Sequence, residues 1–284
     1  MNRKRITKGV FVLLLAALAA FPVPAQQTKE PYAEASQRAA AAMNRGDYGA
    51  AVELYTEAIN LFPKIDAYTP KNKKLKLSGG ETLETPYTGL ESLYWSRARA
   101  YLMKRNLNEA EIDYASAMTV LKYEIAKNID KAKSLRRNAD IKKERENGRS
   151  DIYNSSLARA AFDFSHALQA CDKAKYLNQK RQKFYWELKI PLAPAEKNIK
   201  GFDEILKYQE EAYFGKAEAQ ATLMIEVENR AYAFWALKSA DELIAAFPDN
   251  VEAYRLRARV NRHWGREAAA LADEQKAGEL SAPK

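Results

Sequence analysis

Beyond Pro31, apolar residues recur every three or four positions almost without a break, the period of a helix buried along one face. Ala35, Ala39 and Ala42 share the face of a first segment, Gly46-Asp47 interrupts it, and Ala51, Tyr55, Ala58 and Ile59 share the face of a second. The design returns as Tyr94, Ala98 and Tyr101, a break near Arg105-Asn106, then Leu107, Ala110, Tyr114, Ala117 and Met118. Near the C-terminus it returns again as Tyr254 and Ala258, a break at Gly265, then Ala270 and Ala277. Two antiparallel helices can touch closely only where small side chains face each other, and alanine at the crossing allows that. The aromatics then fill the space between one helix pair and the next. A single pair cannot bury both of its apolar faces, so the pattern predicts stacked pairs.

The middle of the chain departs from this spacing. Leu121, Ile125, Ile129, Ala132 and Leu135 carry the helical stripe well past the expected end of a pair. That predicts one long helix from Asn108 to about Glu146, a turn at Gly148 and a second long helix returning towards Ile190, stopped by Pro191 and Pro194. Ala160, Asp163, Phe164, Ala167 and Leu168 fit the second-helix pattern, suggesting a degenerate pair across 141–171. Ala236, Ala240 and the run 243–248 suggest a further one across 217–248, and Pro63 and Pro248 each close a second helix after a phenylalanine. Residues 64–89 hold Pro70, Gly79-Gly80, Pro86 and a lysine cluster at 71–76, so this stretch reads as an inserted surface loop, either unstructured or a functional flap.

One internal echo makes a geometric prediction. Tyr94-Trp95-Ser96-Arg97-Ala98-Arg99-Ala100 recurs as Tyr254-Arg255-Leu256-Arg257-Ala258-Arg259-Val260, and the acids Asp113 and Asp273 stand at equal distances beyond Arg97 and Arg257. If the pairs are in register, each arginine meets its acid across its own hairpin.

Gly46-Asp47-Tyr48, Ala51, Tyr55, Ala58 and Pro63 resemble the second half of a tetratricopeptide repeat, and Tyr94, Ala98, Tyr101, Ala110, Tyr114 and Ala117 resemble a nearly complete one. Residues 251–280 resemble a third, with Tyr254, Ala258, Gly265, Ala270 and Ala277 in matching places. The resemblance implies an all-α superhelix of antiparallel helix pairs, a tetratricopeptide-like solenoid, here with a long helical hairpin in its middle. It also implies a concave groove, lined by the first helix of each pair, that receives a partner segment. Carried over residue by residue, the groove would include Ser92, Trp95, Arg99 and Leu102 in one pair and Arg255, Arg259 and Arg262 in the last, with His263 beside them. The family's lysine/asparagine clamp for a C-terminal carboxylate is not reproduced in this sequence.

Composition narrows the function. The 284 residues are 47% hydrophobic with only 11 Gly and 10 Pro, which favours helix and suffices for a sizeable core. Arg3, Lys4, Arg5 and Lys8 precede an apolar run of about a dozen residues, and Val23-Pro24-Ala25 offers a small-residue cleavage site. This reads as a signal peptide over 1–25 and predicts an exported protein, periplasmic or associated with the cell envelope. Its one cysteine, Cys171, lies in an apolar helical stretch and reads as an inert buried thiol. The net charge of +9 is regional: 119–200 alone holds 19 Lys/Arg against 10 Asp/Glu. Export and interspersed acids argue for a solvated helix over nucleic-acid binding, and leave peripheral contact with an anionic membrane surface as the lesser alternative.

No catalytic constellation is apparent. The two histidines, His166 and His263, are far apart in sequence and stand in no metal-ligand spacing. The glycines at Ser78-Gly79-Gly80-Glu81 lack the lysine and the strand–helix context of a phosphate loop. The reading is therefore a non-enzymatic scaffold, without cofactor or metal, that binds a protein or peptide partner. Arginine forks suit acidic partners, which makes Trp95, Arg99, Arg255, Arg259 and Arg262 the expected contact residues. The alternative is a small apolar ligand, or an accessory role to a transporter, served by a cavity lined with Trp95, Tyr101 or Trp235. The organisation that follows is 1–25 signal, 26–122 N-terminal pairs with the 64–89 insertion, 123–200 long basic hairpin with a degenerate pair, and 201–284 C-terminal pairs.

Overall fold

The computed structural model describes residues 30–62, 75–76, 82–83, 89–145, 151–193, 197–226 and 231–282. The signal segment, most of the 64–89 insertion, Gly148 and Pro194 lie outside the described residues. The fold is all-α, built from adjacent antiparallel helices. The one exception among the described residues is a two-residue antiparallel ladder within the insertion, β1 (Leu75–Lys76) on β2 (Thr82–Leu83).

The first pair is α1 (Pro31–Asn44) and α2 (Tyr48–Leu61). Proline opens α1, where its missing N–H costs nothing. Gly46, at φ +79°, makes the turn, and the Asp47 carboxylate caps α2 by accepting from the Ala50 N–H at 3.1 Å. Ala39, Ala42, Ala51 and Ala58 are fully buried at the crossing, as the small-residue argument requires. Phe62 is extended ahead of Pro63 and ends α2, and its ring lies beside Gly89 at the far end of the insertion. The insertion thus leaves and rejoins the fold at one place.

α3 (Leu90–Met103) follows, then α4 (Leu107–Arg145), α5 (Asp151–Glu187) and α6 (Phe202–Glu226). These last three have 39, 37 and 25 residues and form a slab through the middle of the molecule. Contacts between α4 and α5 descend along one helix as they ascend the other: Glu111 meets Arg181 and Lys131 meets Asp163. Those between α4 and α6 ascend together, through Lys122–Glu204, Lys133–Glu211 and Arg136–Glu218. So α4 and α6 are parallel, and α5 runs against α4. The end of α5 differs from expectation. It stops at Glu187, before the prolines, because Lys189 turns left-handed (φ +54°) and the Ile190 N–H closes on the Tyr185 carbonyl at 2.9 Å.

The suggested pair across 141–171 takes another form. Ala160, Asp163, Phe164 and Ala167 belong to the unbroken α5, and their partner is the second half of α4, not a new helix beginning near Ile141. Close approach of α6 depends on Gly215: a Cβ there would fall 2.3 Å from the Phe164 ring. The chain ends in α7 (Ala231–Ala246), α8 (Val251–His263) and α9 (Glu267–Ser281), with Asn250 capping α8 and Gly265 at φ +78° turning into α9.

Both arginine–acid pairs form across their hairpins. Arg97 donates to both oxygens of Asp113 at 2.8 Å, and Arg257 to those of Asp273 at 3.0 and 2.6 Å. Each guanidinium also reaches the preceding pair: Arg97 donates to the Thr56 hydroxyl at 3.0 Å and Arg257 to Asp241 at 2.6 Å. One side chain therefore ties three helices and sets the stacking of one pair on the next. Asp163 occupies the same register in α5: it stands between the buried Ala160 and Ala167, as Asp113 stands between Ala110 and Ala117 and Asp273 between Ala270 and Ala277. The three acids Asp113, Asp163 and Asp273 are 2%, 2% and 5% exposed. Asp163 is bound by Lys131 through one oxygen, at 2.8 Å, and its other oxygen has no partner among the described residues.

Candidate partner-binding surfaces

The expected groove residues separate into three kinds. Leu102 is buried in the core and offers nothing to a partner. The Ser92 hydroxyl is exposed but donates to the neighbouring Glu91. Trp95 is half-buried, its ring 4.7 Å from Tyr114 and 6.3 Å from Phe184, so it packs within the fold rather than projecting as an anchor.

Arg99 is exposed and carries no ion pair among the described residues. Its guanidinium carbon lies over the Phe184 ring, 4.7 Å from the ring centroid. It also lines a cleft of about 250 Å³ with Met43 of α1, Tyr48 and Tyr55 of α2, and Ser96 and Met103 of α3.

The C-terminal arginines are used differently. Arg262 is bidentate to Glu274 at 2.6 and 2.8 Å and reaches Glu267 at 3.3 Å, which ties α8 to α9. That contact raises the Arg262 pKa and holds the Glu274 carboxyl below its ordinary value. Arg255 pairs with Glu252 at 2.6 Å, one turn away on α8. Only Arg259 of the three is exposed without an ion pair among the described residues, and His263 is exposed beside them. The three do not act as one free cationic stripe.

Behind Trp95 lies a polar cluster that the sequence did not announce. Arg181 is 1% exposed and bidentate to Glu111 at 2.8 Å, and the Tyr185 hydroxyl donates to the same carboxylate. The Tyr114 hydroxyl is buried there with no partner, and its pKa is raised by burial and then by the Glu111 charge. Phe184, Arg181 and Tyr185 arrive from the end of α5, some seventy to ninety residues beyond the residues they touch. No local signal marks such a meeting.

Part of the basic middle is neutralised within the fold. Lys122, Lys133 and Arg136 pair with Glu204, Glu211 and Glu218 of α6, a helix with six acids against two lysines. Lys173 pairs with the buried Glu91. Cys171 is buried, and burial, then Asp172, push its thiol up to about 12. His166 stacks on Phe162 at 4.2 Å. Among the described residues no three or more His, Cys, Asp or Glu gather as metal ligands, and no helix is long and apolar enough to cross a membrane. Trp235 sits half-exposed on α7 against Phe234, whereas Trp95 and Tyr101 pack on the central core.

No protein family and no curated protein matches this chain. A solved tetratricopeptide repeat protein from Parabacteroides merdae aligns at 16% identity, over 89% of this chain and 81% of its own, with a TM-score of 0.23. A likeness at that score carries no argument, and the helix-pair description rests on the chain's own geometry.

Proposed function

We propose that this chain is an exported, non-enzymatic scaffold of tetratricopeptide type, which binds an acidic segment of a protein partner in the groove formed by α1, α3 and the end of α5. The observation that carries the reading is Arg99. It lines a cleft between helices, its guanidinium over the Phe184 ring, with no carboxylate of its own chain among the described residues. A guanidinium held in this way has lost little freedom still to lose, so a carboxylate gains nearly the full bidentate contact. Trp95 supports the reading as the aromatic wall against which a side chain packs. Arg259 is the C-terminal residue best placed to add to it, while Arg255 and Arg262 contribute less because acids already occupy them.

The test is capture of partners from the organism's envelope fraction by the mature protein, with Arg99→Glu and Arg259→Glu beside wild type. A partner lost from Arg99→Glu is then reduced to its acidic segment and measured directly as a synthetic peptide. An unchanged set of partners with Arg99→Glu overturns the groove assignment. Export is checked separately by the mass of the protein in the envelope fraction, which should lack residues 1–25.

A further inference from the structure

A second surface, which shares no residue with the α1–α3 cleft, lies on the outer side of α7. Phe234 and Trp235 are 61% and 50% exposed there, with their rings 5.3 Å apart, edge to face. An open cleft of about 540 Å³ runs from Phe234 through Leu237 and Lys238 to Ala245, and Trp264 and Arg266 of the α8–α9 turn form its far wall. Gly265, left-handed between those two, sets both side chains into place.

The charges in the cleft are arranged with one sign unsatisfied. Its two acids are already bound from within the fold: Asp241 by Arg257 at 2.6 Å and Glu242 by Lys216 at 2.8 Å. Its two cations have no carboxylate among the described residues. Each lies instead on an aromatic ring, Lys238 at 5.5 Å from the Trp235 centroid and Arg266 at 3.9 Å from that of Trp264. The cleft follows α7 for about three turns, roughly 16 Å at the rise of a helix. An apolar trough of that length, bordered by two free cations, complements one kind of surface well.

We propose that this cleft is a docking site for an acidic amphipathic helix of a protein partner. The apolar side of that helix packs on Phe234, Leu237 and Trp264, and its flanking carboxylates meet Lys238 and Arg266. With the groove at Arg99, this gives the scaffold two separate sites and lets it hold two partners at once. A lipid surface fits less well, because Asp241 and Glu242 stand among the apolar groups of the cleft and would face anionic headgroups.

The test uses the mature protein and two short fluorescein-labelled peptides. One is amphipathic with leucine and phenylalanine on one helical face and glutamates flanking it, and its twin has lysine for every glutamate. Fluorescence anisotropy should show binding of the acidic peptide, weakened by added salt, with little binding of the twin. Lys238→Glu with Arg266→Glu should weaken the acidic peptide by about tenfold or more and give measurable binding to the twin. That gain cannot come from a misfolded protein. Arg99→Glu should leave both results unchanged, which separates this site from the groove. The proposal is overturned by no binding, by equal binding of both peptides, or by loss with Arg99→Glu alone. It is also overturned if only phosphatidylglycerol vesicles bind, or if Trp264→Ala dissociates a dimer in sedimentation, since a second copy would then fill the cleft.

Discussion

The last helix pair and the central slab solve the same problem with different parts. In α8–α9 a buried acid, Asp273, is held through both oxygens by Arg257, sixteen residues earlier, and the same arginine reaches Asp241 of the preceding pair. In the slab the acid at that register is Asp163, and the cation comes from thirty-two residues away, across two long helices. It is a lysine, so it binds one oxygen and leaves the other buried, without a partner among the described residues. The difference shows what the repeat register specifies. The acid keeps its place facing the paired helix, while the identity and chain position of its cation vary with the length of that helix. A guanidinium fork joins three helices, whereas an ammonium joins two.

The sharpest way to break this comparison is to remove the cations. Arg97→Ala takes both forked hydrogen bonds from the buried Asp113 and should cost about 3 kcal/mol in urea unfolding. Lys131→Ala strips the buried Asp163 of its cation, but water can enter where the half-exposed lysine stood, so the loss should be smaller, about 2 kcal/mol. Equal losses would show that the fork adds nothing over the ammonium. Gly215→Ala tests the slab by itself. Alanine favours a helix by roughly 1 kcal/mol over glycine, but the new methyl would strike Phe164, so a net loss of about 2 kcal/mol is expected. A gain in stability would mean that α6 can move outward freely.

Lys131→Arg sharpens the comparison in the other direction. A guanidinium can reach the orphaned oxygen of Asp163, so the urea midpoint should rise, by about 1 kcal/mol at most. The smallest effect is expected in acid. The Glu274 carboxyl is held below its ordinary value by Arg262, so its contribution is complete above about pH 4.3 and is lost as pH falls through the lowered value. Amide protection in α9, relative to the intrinsic exchange rate at each pH, should therefore fall in that range. Arg262→Gln should show little of this response, and an identical response would assign it to another acid.

Much of the fold was legible because its grammar is local. Ala39, Ala42, Ala51 and Ala58 announce a helix crossing through side-chain size alone, and Gly46 and Gly265 mark turns that need a left-handed residue. The Arg97–Asp113 and Arg257–Asp273 contacts were foreseeable because a hairpin of fixed length turns sequence spacing into spatial register. The binding surfaces were less legible. Trp95 and Arg99 both meet Phe184, which comes from α5 and which no spacing within α3 foretells. Arg262 looked free in the sequence and is clamped by Glu274, because the sequence of α8 carries no record of which acids α9 presents to it.

The basic middle shows the same division. By itself the sequence determined that this chain is helical, that its helices pair through small residues, that two lengthen in the middle, and that a net positive charge gathers there. Only the tertiary structure decided that α6 lies parallel to α4 and sets Glu204, Glu211 and Glu218 against Lys122, Lys133 and Arg136. It alone left Arg99, Lys238 and Arg266 over aromatic rings with no carboxylate among the described residues. The reason is physical: backbone geometry and side-chain size act between near neighbours along the chain, whereas a charge is satisfied by whatever packing brings within a few ångströms.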